Sequence, residues 1–263
     1  MLSLLLGALT FLVSGTAAGT ETVWTGGSST GLISLYDLEG DQLTSFFPPG
    51  GTNGTSVIVS TGTQVWAAGS STGRISRYDP EGSLVDSFIP PGVNIGVGAM
   101  VFTGTEVWTA GGSDGRISLY DLEGTQLLSF LPSEGNSATE AMIFTGTQVW
   151  TAGSINGRIR IYDLDGNLVT SFIPQGANLG VGAMVFTGTE VWTARSNTGR
   201  ISRYDLAGNE LSSFERPGGA SATGAMTLVP EPRAILLQCA ALLTLAGMRR
   251  WRRTRAVRGS AIG

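Results

Sequence analysis

The sequence has no histidine and no lysine, and its single cysteine is Cys239. Histidine is the side chain that most often serves as general base or transition-metal ligand near neutral pH, so its absence removes the commonest route to either. One cysteine cannot close an intrachain disulfide, so the fold is held by packing alone. Charge is also unevenly missing. Residues 233–263 contain seven arginines and no acid, whereas residues 20–232 contain all 20 acids and nine arginines, a balance of −11. A body of that sign excludes nucleic acid as a partner, because phosphate backbones need a basic face. No calcium-loop spacing is present. No cofactor or metal is expected on these grounds.

What the chain has in quantity is glycine, 39 residues, and repetition. Val23-Trp24 returns 42 residues later as Val65-Trp66, then as Val107-Trp108, Val149-Trp150 and Val191-Trp192. Tyr36-Asp37 returns in phase as Tyr78-Asp79, Tyr120-Asp121, Tyr162-Asp163 and Tyr204-Asp205. Phe46 does the same at Phe88, Phe130, Phe172 and Phe214. A strict period in this range marks one supersecondary unit stacked on copies of itself.

Within one period, four short strands are expected at 99–103, 106–110, 116–122 and 125–131. Asp114-Gly115 and Asn156-Gly157 read as type I′ hairpin turns, and Glu123-Gly124 and Asp165-Gly166 join the third strand to the fourth. Strands rich in Val, Ile, Phe, Tyr and Trp between evenly spaced glycine turns form antiparallel meanders. A four-stranded meander of this length is the size of a propeller blade. In the third strand the position of Leu119 is arginine at Arg77 and Arg203, which suggests a place near an edge. The first period lacks its first strand, and residues 224–228 repeat 182–186. The expected fold is therefore an all-β, five-bladed β-propeller over residues 20–228, whose C-terminal strand closes blade one and leaves no open sheet edge there. An open β-solenoid is the alternative.

The pattern G-R-I-x-x-Y-D-x-x-G-x-x-x-x-x-F, as in residues 115–130, resembles the NHL-repeat and streptogramin-lyase type of blade, over residues 22–228. The resemblance implies blade geometry more than activity, since such folds carry both binding scaffolds and enzymes. Streptogramin-type lyases use a histidine base, so that activity has no residue here to rest on.

Both ends read as addresses. Residues 2–13 are apolar and 14–19 are small, the order of a secretory signal peptide over residues 1–19, although no basic residue precedes the apolar run; a buried first strand or helix is the alternative. At the other end stand Val229, Pro230, Glu231 and Pro232, then the apolar run 234–248, then Arg249, Arg250, Arg252, Arg253, Arg255 and Arg258 around Trp251. The run is shorter than the ~20 residues that span a bilayer comfortably, and arginines directly after it favour the cytoplasmic side. This order, over residues 229–258 with a tail at 259–263, resembles the PEP-CTERM sorting signal of Gram-negative and related bacteria. The resemblance implies recognition by an exosortase in the inner membrane. It also implies a transient membrane helix, and delivery of the body to the cell surface or extracellular matrix. A plain C-terminal membrane anchor is the alternative.

Two repeated sets are candidate sites. The aspartates Asp37, Asp79, Asp121, Asp163 and Asp205 either form a ring of carboxylates or cap the turn before each glycine. The tryptophans Trp24, Trp66, Trp108, Trp150 and Trp192 either stack on sugars or fill the gaps between blades. The Gly-, Pro-, Ser- and Asn-rich stretches 48–55, 90–97, 132–139, 174–181 and 217–223 fall on one rim, where binding loops usually sit. Arg195 and Glu215-Arg216 are the charged breaks in the period. Near-identical blades argue against a catalytic centre, which needs different residues in different roles. No catalytic residue is assigned, and the chain is expected not to be an enzyme. It is expected to be a surface scaffold binding extracellular polysaccharide or a surface protein, the alternative being a propeller lyase or hydrolase acting on that polysaccharide.

Overall fold

A computed structural model describes residues 11–12, 21–50, 54–69, 71–91, 96–132, 138–175, 180–196, 198–215 and 226–227. Among these residues there are strands and turns but no helix, so none that is long and apolar enough to cross a membrane.

The strands form five four-stranded sheets, each an antiparallel meander in chain order. The first sheet holds β1 (Phe11–Leu12), β2 (Val23–Gly26), β3 (Ile33–Tyr36) and β4 (Gln42–Phe46). The second holds β5 (Thr55–Ser60), β6 (Val65–Gly69), β7 (Ile75–Tyr78) and β8 (Leu84–Phe88). The third holds β9 (Val97–Phe102), β10 (Val107–Gly111), β11 (Ile117–Tyr120) and β12 (Gln126–Phe130). The fourth holds β13 (Thr139–Phe144), β14 (Val149–Gly153), β15 (Ile159–Tyr162) and β16 (Leu168–Phe172). The fifth holds β17 (Val181–Phe186), β18 (Val191–Arg195), β19 (Arg200–Tyr204) and β20 (Glu210–Glu215). The first strands β5, β9, β13 and β17 pack on one another in succession, an arrangement consistent with a five-bladed propeller.

Alternation along each strand gives every sheet two different faces. One face carries the tryptophan and phenylalanine, the other the tyrosine. At each interface the Trp–Phe face of one sheet meets the tyrosine of the next. Trp24 and Phe46 meet Tyr78, Trp66 and Phe88 meet Tyr120, and Trp150 and Phe172 meet Tyr204, at ring-centroid distances of 4.9–6.5 Å. Trp108 and Phe130 meet Tyr162 in the same way. Four hydrophobic clusters result, one per interface. Trp24, Trp66, Trp108 and Trp150 are completely buried. The fifth set is not assembled among the described residues. Trp192 and Tyr36 are only half-buried, Phe214 is 43% exposed, and Trp192 touches Phe214 but no tyrosine. Instead, Arg203 covers Trp192 at 5.1 Å and is held there by two hydrogen bonds to Glu190.

Three sequence expectations are corrected here. First, the strand beside β2 is β1, not residues 224–228. Phe11 pairs with Trp24 and Leu12 with Val23, while Met226 and Thr227 lie outside any strand and 224, 225 and 228 lie outside the described residues. A pairing about ten residues apart costs roughly 2–3 kcal/mol less in loop closure than one about 200 residues apart. Second, the turns at Asp114-Gly115 and Asn156-Gly157 are not type I′. That turn needs positive φ at both residues, and every positive φ among the described residues belongs to a glycine, here Gly115 at 66° and Gly157 at 62°. The hairpin closes instead at Gly111 N–H to the Arg116 carbonyl, with the Asp114 carboxylate accepting from the Arg116 N–H at 2.9 Å. Third, Arg77 is not at an edge. It is 6% exposed, lies over Trp66 at 5.6 Å and donates to the Leu122 carbonyl in the next sheet at 2.6 Å. Its aliphatic stem replaces the packing of Leu119 and its head reaches a polar partner across the interface.

Candidate functional site

The repeated aspartates all sit in the turn between the third and fourth strands, on the rim opposite the proline-rich loops. Each accepts the backbone N–H four residues on: Asp37 from Asp41, Asp79 from Ser83, Asp121 from Thr125, Asp163 from Asn167 and Asp205 from Asn209, at 2.7–2.8 Å. The side-chain amides of Asn167 and Asn209 add a bond each and hold the Asp163 and Asp205 carboxyls below the usual carboxylate range. Among the described residues no cluster of acids could hold a metal ion. The tryptophans point into the sheet interfaces, and Trp192 alone is half-open. The indoles of Trp108 and Trp192 donate to Glu106 and Glu190 two residues before them.

The other rim is where the repeat loses its regularity. The loops leaving the fourth strands begin with buried prolines at Pro90, Pro132 and Pro174, which fix their exit direction. Much of 90–97, 132–139 and 174–181 lies outside the described residues, as do 217–223 and Arg216. The loop at 48–50 is described, and it forms one wall of a cleft between the first and second sheets. The cleft has a volume of about 300 Å³ including its open mouth, and is lined by Pro48, Pro49, Gly50, Thr55, Ala67, Thr72, Arg74 and Ser76.

The sequence explains why the cleft opens at this sheet. Thr25, Thr109, Thr151 and Thr193 occupy the position at which the second sheet has Ala67. Ala67 pairs with Ser76, the same cross-strand pair that is Thr151 with Arg160 in the fourth sheet. Ser76 is the serine also found at Ser34, Ser118 and Ser202, so it is alanine in place of threonine that leaves space at this sheet. Arg74 stands at the mouth of that space. Its Nη1 donates to Ser87 Oγ at 2.9 Å, and Gly50 approaches it so closely that an added Cβ would lie 3.2 Å from Nε. Among the described residues Arg74 forms no ion pair, although Arg116 and Arg200, one and three periods on, lie 3.7–4.0 Å from carboxylates.

A second irregularity lies on the innermost strands. Each of β5, β9, β13 and β17 has a β-bulge at its start, whose extra residue is Ser56, Gly98, Glu140 or Gly182. Ser56 Oγ donates from this position to the Val97 carbonyl of the next sheet at 2.6 Å, so the bulge aims its side chain at the neighbouring blade. Glu140 is the one acid on these strands. It is exposed between buried Thr139 and Ala141, and the surrounding protein mass raises its carboxyl above the ordinary value. Sequence reading missed Glu140, Ala67 and Arg160, and aligning the periods position by position would have found all three. Of the breaks it did name, Arg195 is buried and donates to the Gln175 carbonyl, anchoring the loop after β16. Burial first, and then Arg200, hold its guanidinium below its usual value. Glu215 ends β20 and lies 4.0 Å from Arg200. Val229, Pro230, Glu231, Pro232, Arg249, Arg250, Arg252 and Arg253 lie outside the described residues.

Five antiparallel four-stranded meanders, four of them with a bulged first strand, and a loop-bearing rim are consistent with a five-bladed β-propeller. Solved structures with this fold include virginiamycin B lyase from Staphylococcus aureus. A catalytically inactive histidine-to-alanine variant crystallised with quinupristin has a TM-score of 0.71 at 17% identity, over 85% of this chain and 75% of that one. Selenomethionine-substituted virginiamycin B lyase has a TM-score of 0.70 at 18% identity, over 81% of this chain and 73% of that one. A chain of the mitotic checkpoint complex has a TM-score of 0.69 at 13% identity, over 85% and 70% respectively. Likeness at this level shows the fold alone. No protein-family model matches the sequence, and no curated protein does.

These neighbours correct the expectation that the chain is not an enzyme, since two of them are structures of a lyase. The blades are also not chemically equal, since Glu140, Ala67 and Arg160 depart from the residues at the same places in the other sheets. The lyase variant is inactivated by loss of a histidine, a residue type this chain does not contain, so its chemistry is not transferred with its fold.

Proposed function

We propose that this chain is an exported propeller, sorted by an exosortase to the cell surface or extracellular matrix, whose rim cleft binds extracellular polysaccharide. The observation that carries the binding reading is the cleft itself, a small open recess in which threonine and serine residues, two prolines and the Arg74 guanidinium meet at a sheet interface. A surface protein is the other partner such a rim would suit. The apolar segment 2–13 and small residues 14–19 support export. The order of Pro230-Glu231-Pro232, apolar run and arginines supports sorting.

Export has a structural consequence. Removing residues 1–19 takes Phe11–Leu12 from the first sheet and opens the edge of β2. Residues 224–228 repeat the sequence of the first strand at 182–186 and suit the vacated place. Intact-mass analysis of the surface protein tests both cleavages at once. The expected species begins near residue 20 and ends near Pro232. A surface protein retaining either end defeats the processing at that end. A glycan array probed with the protein tests binding.

A second reading, a propeller enzyme acting on the same polysaccharide, is favoured by Glu140. An exposed carboxyl whose pKa the surrounding protein raises above its ordinary value is a candidate for proton transfer. Turnover on matrix polysaccharide should fall about 100-fold or more in Glu140→Gln. Activity unchanged in that variant would remove Glu140 from any mechanism.

A further inference from the structure

We infer that the cleft between the first and second sheets takes the carboxylate of an acidic sugar, with Arg74 as its counter-ion. This rests on the glycan reading above and narrows it to uronic-acid-bearing chains. In a body of net charge −11, most guanidinium groups can find an acid. Arg77, Arg116, Arg200 and Arg203 each do so within the protein. Among the described residues Arg74 does not, and the cleft around it is lined by threonine, serine, proline, glycine and alanine rather than by acids. Ser87 fixes one end of its planar fork through Nη1 and Gly50 packs against Nε, which leaves Nη2 to donate to a ligand. Arginine in that state matches a carboxylate's geometry better than any neutral group.

The space in front of Arg74 exists because Ala67 replaces the threonine of the other four sheets, and Thr55, Thr72 and Ser76 lie on its walls. Thr55 Oγ1 donates to the Gly31 carbonyl, so it retains lone pairs to accept from sugar hydroxyls. The proline faces of Pro48 and Pro49 offer apolar surface to the C–H side of a pyranose. Charge, hydroxyls and an apolar wall together fit an acidic sugar better than a free inorganic anion, which would use only the first.

Titration calorimetry with the full chain tests this, using a galacturonic-acid oligosaccharide, its methyl ester, and inorganic phosphate. The uronate should bind at least about 10-fold more tightly than the ester. Phosphate should bind more weakly than the uronate, and the uronate affinity should fall with added salt. Arg74→Gln should lose that preference, and Arg74→Lys should keep part of it. Ala67→Thr installs the residue found in the other four sheets, so it fills the cleft without threatening the fold; it should weaken binding about 10-fold. Arg116→Gln, whose guanidinium is already paired, should leave binding unchanged. Equal affinity for uronate and ester would keep the glycan reading and overturn the carboxylate. Phosphate binding as tightly as the uronate would reduce the site to an anion site. Binding of neither sugar by a protein whose β-sheet circular dichroism is intact would overturn both readings.

Discussion

Replacing Trp108 by alanine is expected to cost about 3–5 kcal/mol, a large share of the roughly 5–15 kcal/mol by which an ordinary protein is stable. The ring is completely buried between the third and fourth sheets and meets Tyr162 at 6.4 Å. Its removal leaves a cavity lined by Val149, Leu119 and Ile117. These residues sit on two paired sheets and cannot collapse into the space without breaking strand register. Its indole N–H also donates to Glu106, which would lose its partner. Trp192→Ala should cost less than half as much. That ring has no tyrosine against it, its neighbour Phe214 is 43% exposed, and Arg203 can settle onto the gap. Urea denaturation of the two variants, followed by fluorescence of the remaining tryptophans, measures the difference. Equal losses would mean that Trp192, Phe214 and Tyr36 do assemble in solution and that the fifth interface is as closed as the other four.

That comparison bears on what could be read from the residues alone. Strand number, meander order and the Trp–Phe–Tyr packing were legible because each is a periodic property, and the period is strict. Turn type was not, because Asp-Gly is compatible with more than one turn; a four-residue loop between Gly111 and Arg116 lets Asp114 remain at negative φ and use its carboxylate instead. The partner of β2 was misassigned for a related reason. Sequence similarity of 224–228 to a first strand says that it could pair, whereas chain entropy favours the nearby Phe11–Leu12. The site was hidden by the repeat itself. Glu140, Ala67 and Arg160 look unremarkable in the chain and become informative only as departures from what the other sheets hold at the same place.

Alkaline pH should unfold the protein cooperatively between about pH 10 and 12. Burial raises the phenols of Tyr78, Tyr120 and Tyr204 above the ordinary tyrosine value of 10, and pushes Tyr162 up to about 12. A phenol whose ionisation is resisted only in the folded state contributes stability that is fully present below pH 10. That contribution falls as the unfolded chain ionises, and is gone once pH has risen through the folded value. For Tyr162 alone the difference amounts to roughly 2–3 kcal/mol, and its three equivalents at the other interfaces act in the same direction. Each phenolate would have to appear beside a buried tryptophan or phenylalanine, with no water to solvate it. Tyrosinate absorbance near 295 nm and loss of β-sheet circular dichroism should therefore rise together, since the sheets must separate before these rings ionise. Tyr162→Phe should move the transition to higher pH, because one group that favours the unfolded chain in alkali is gone. Gradual ionisation of the full set of tyrosines near pH 10 with the sheet signal intact would show that the phenols reach water in the folded protein, and that the interfaces are looser than their packing implies.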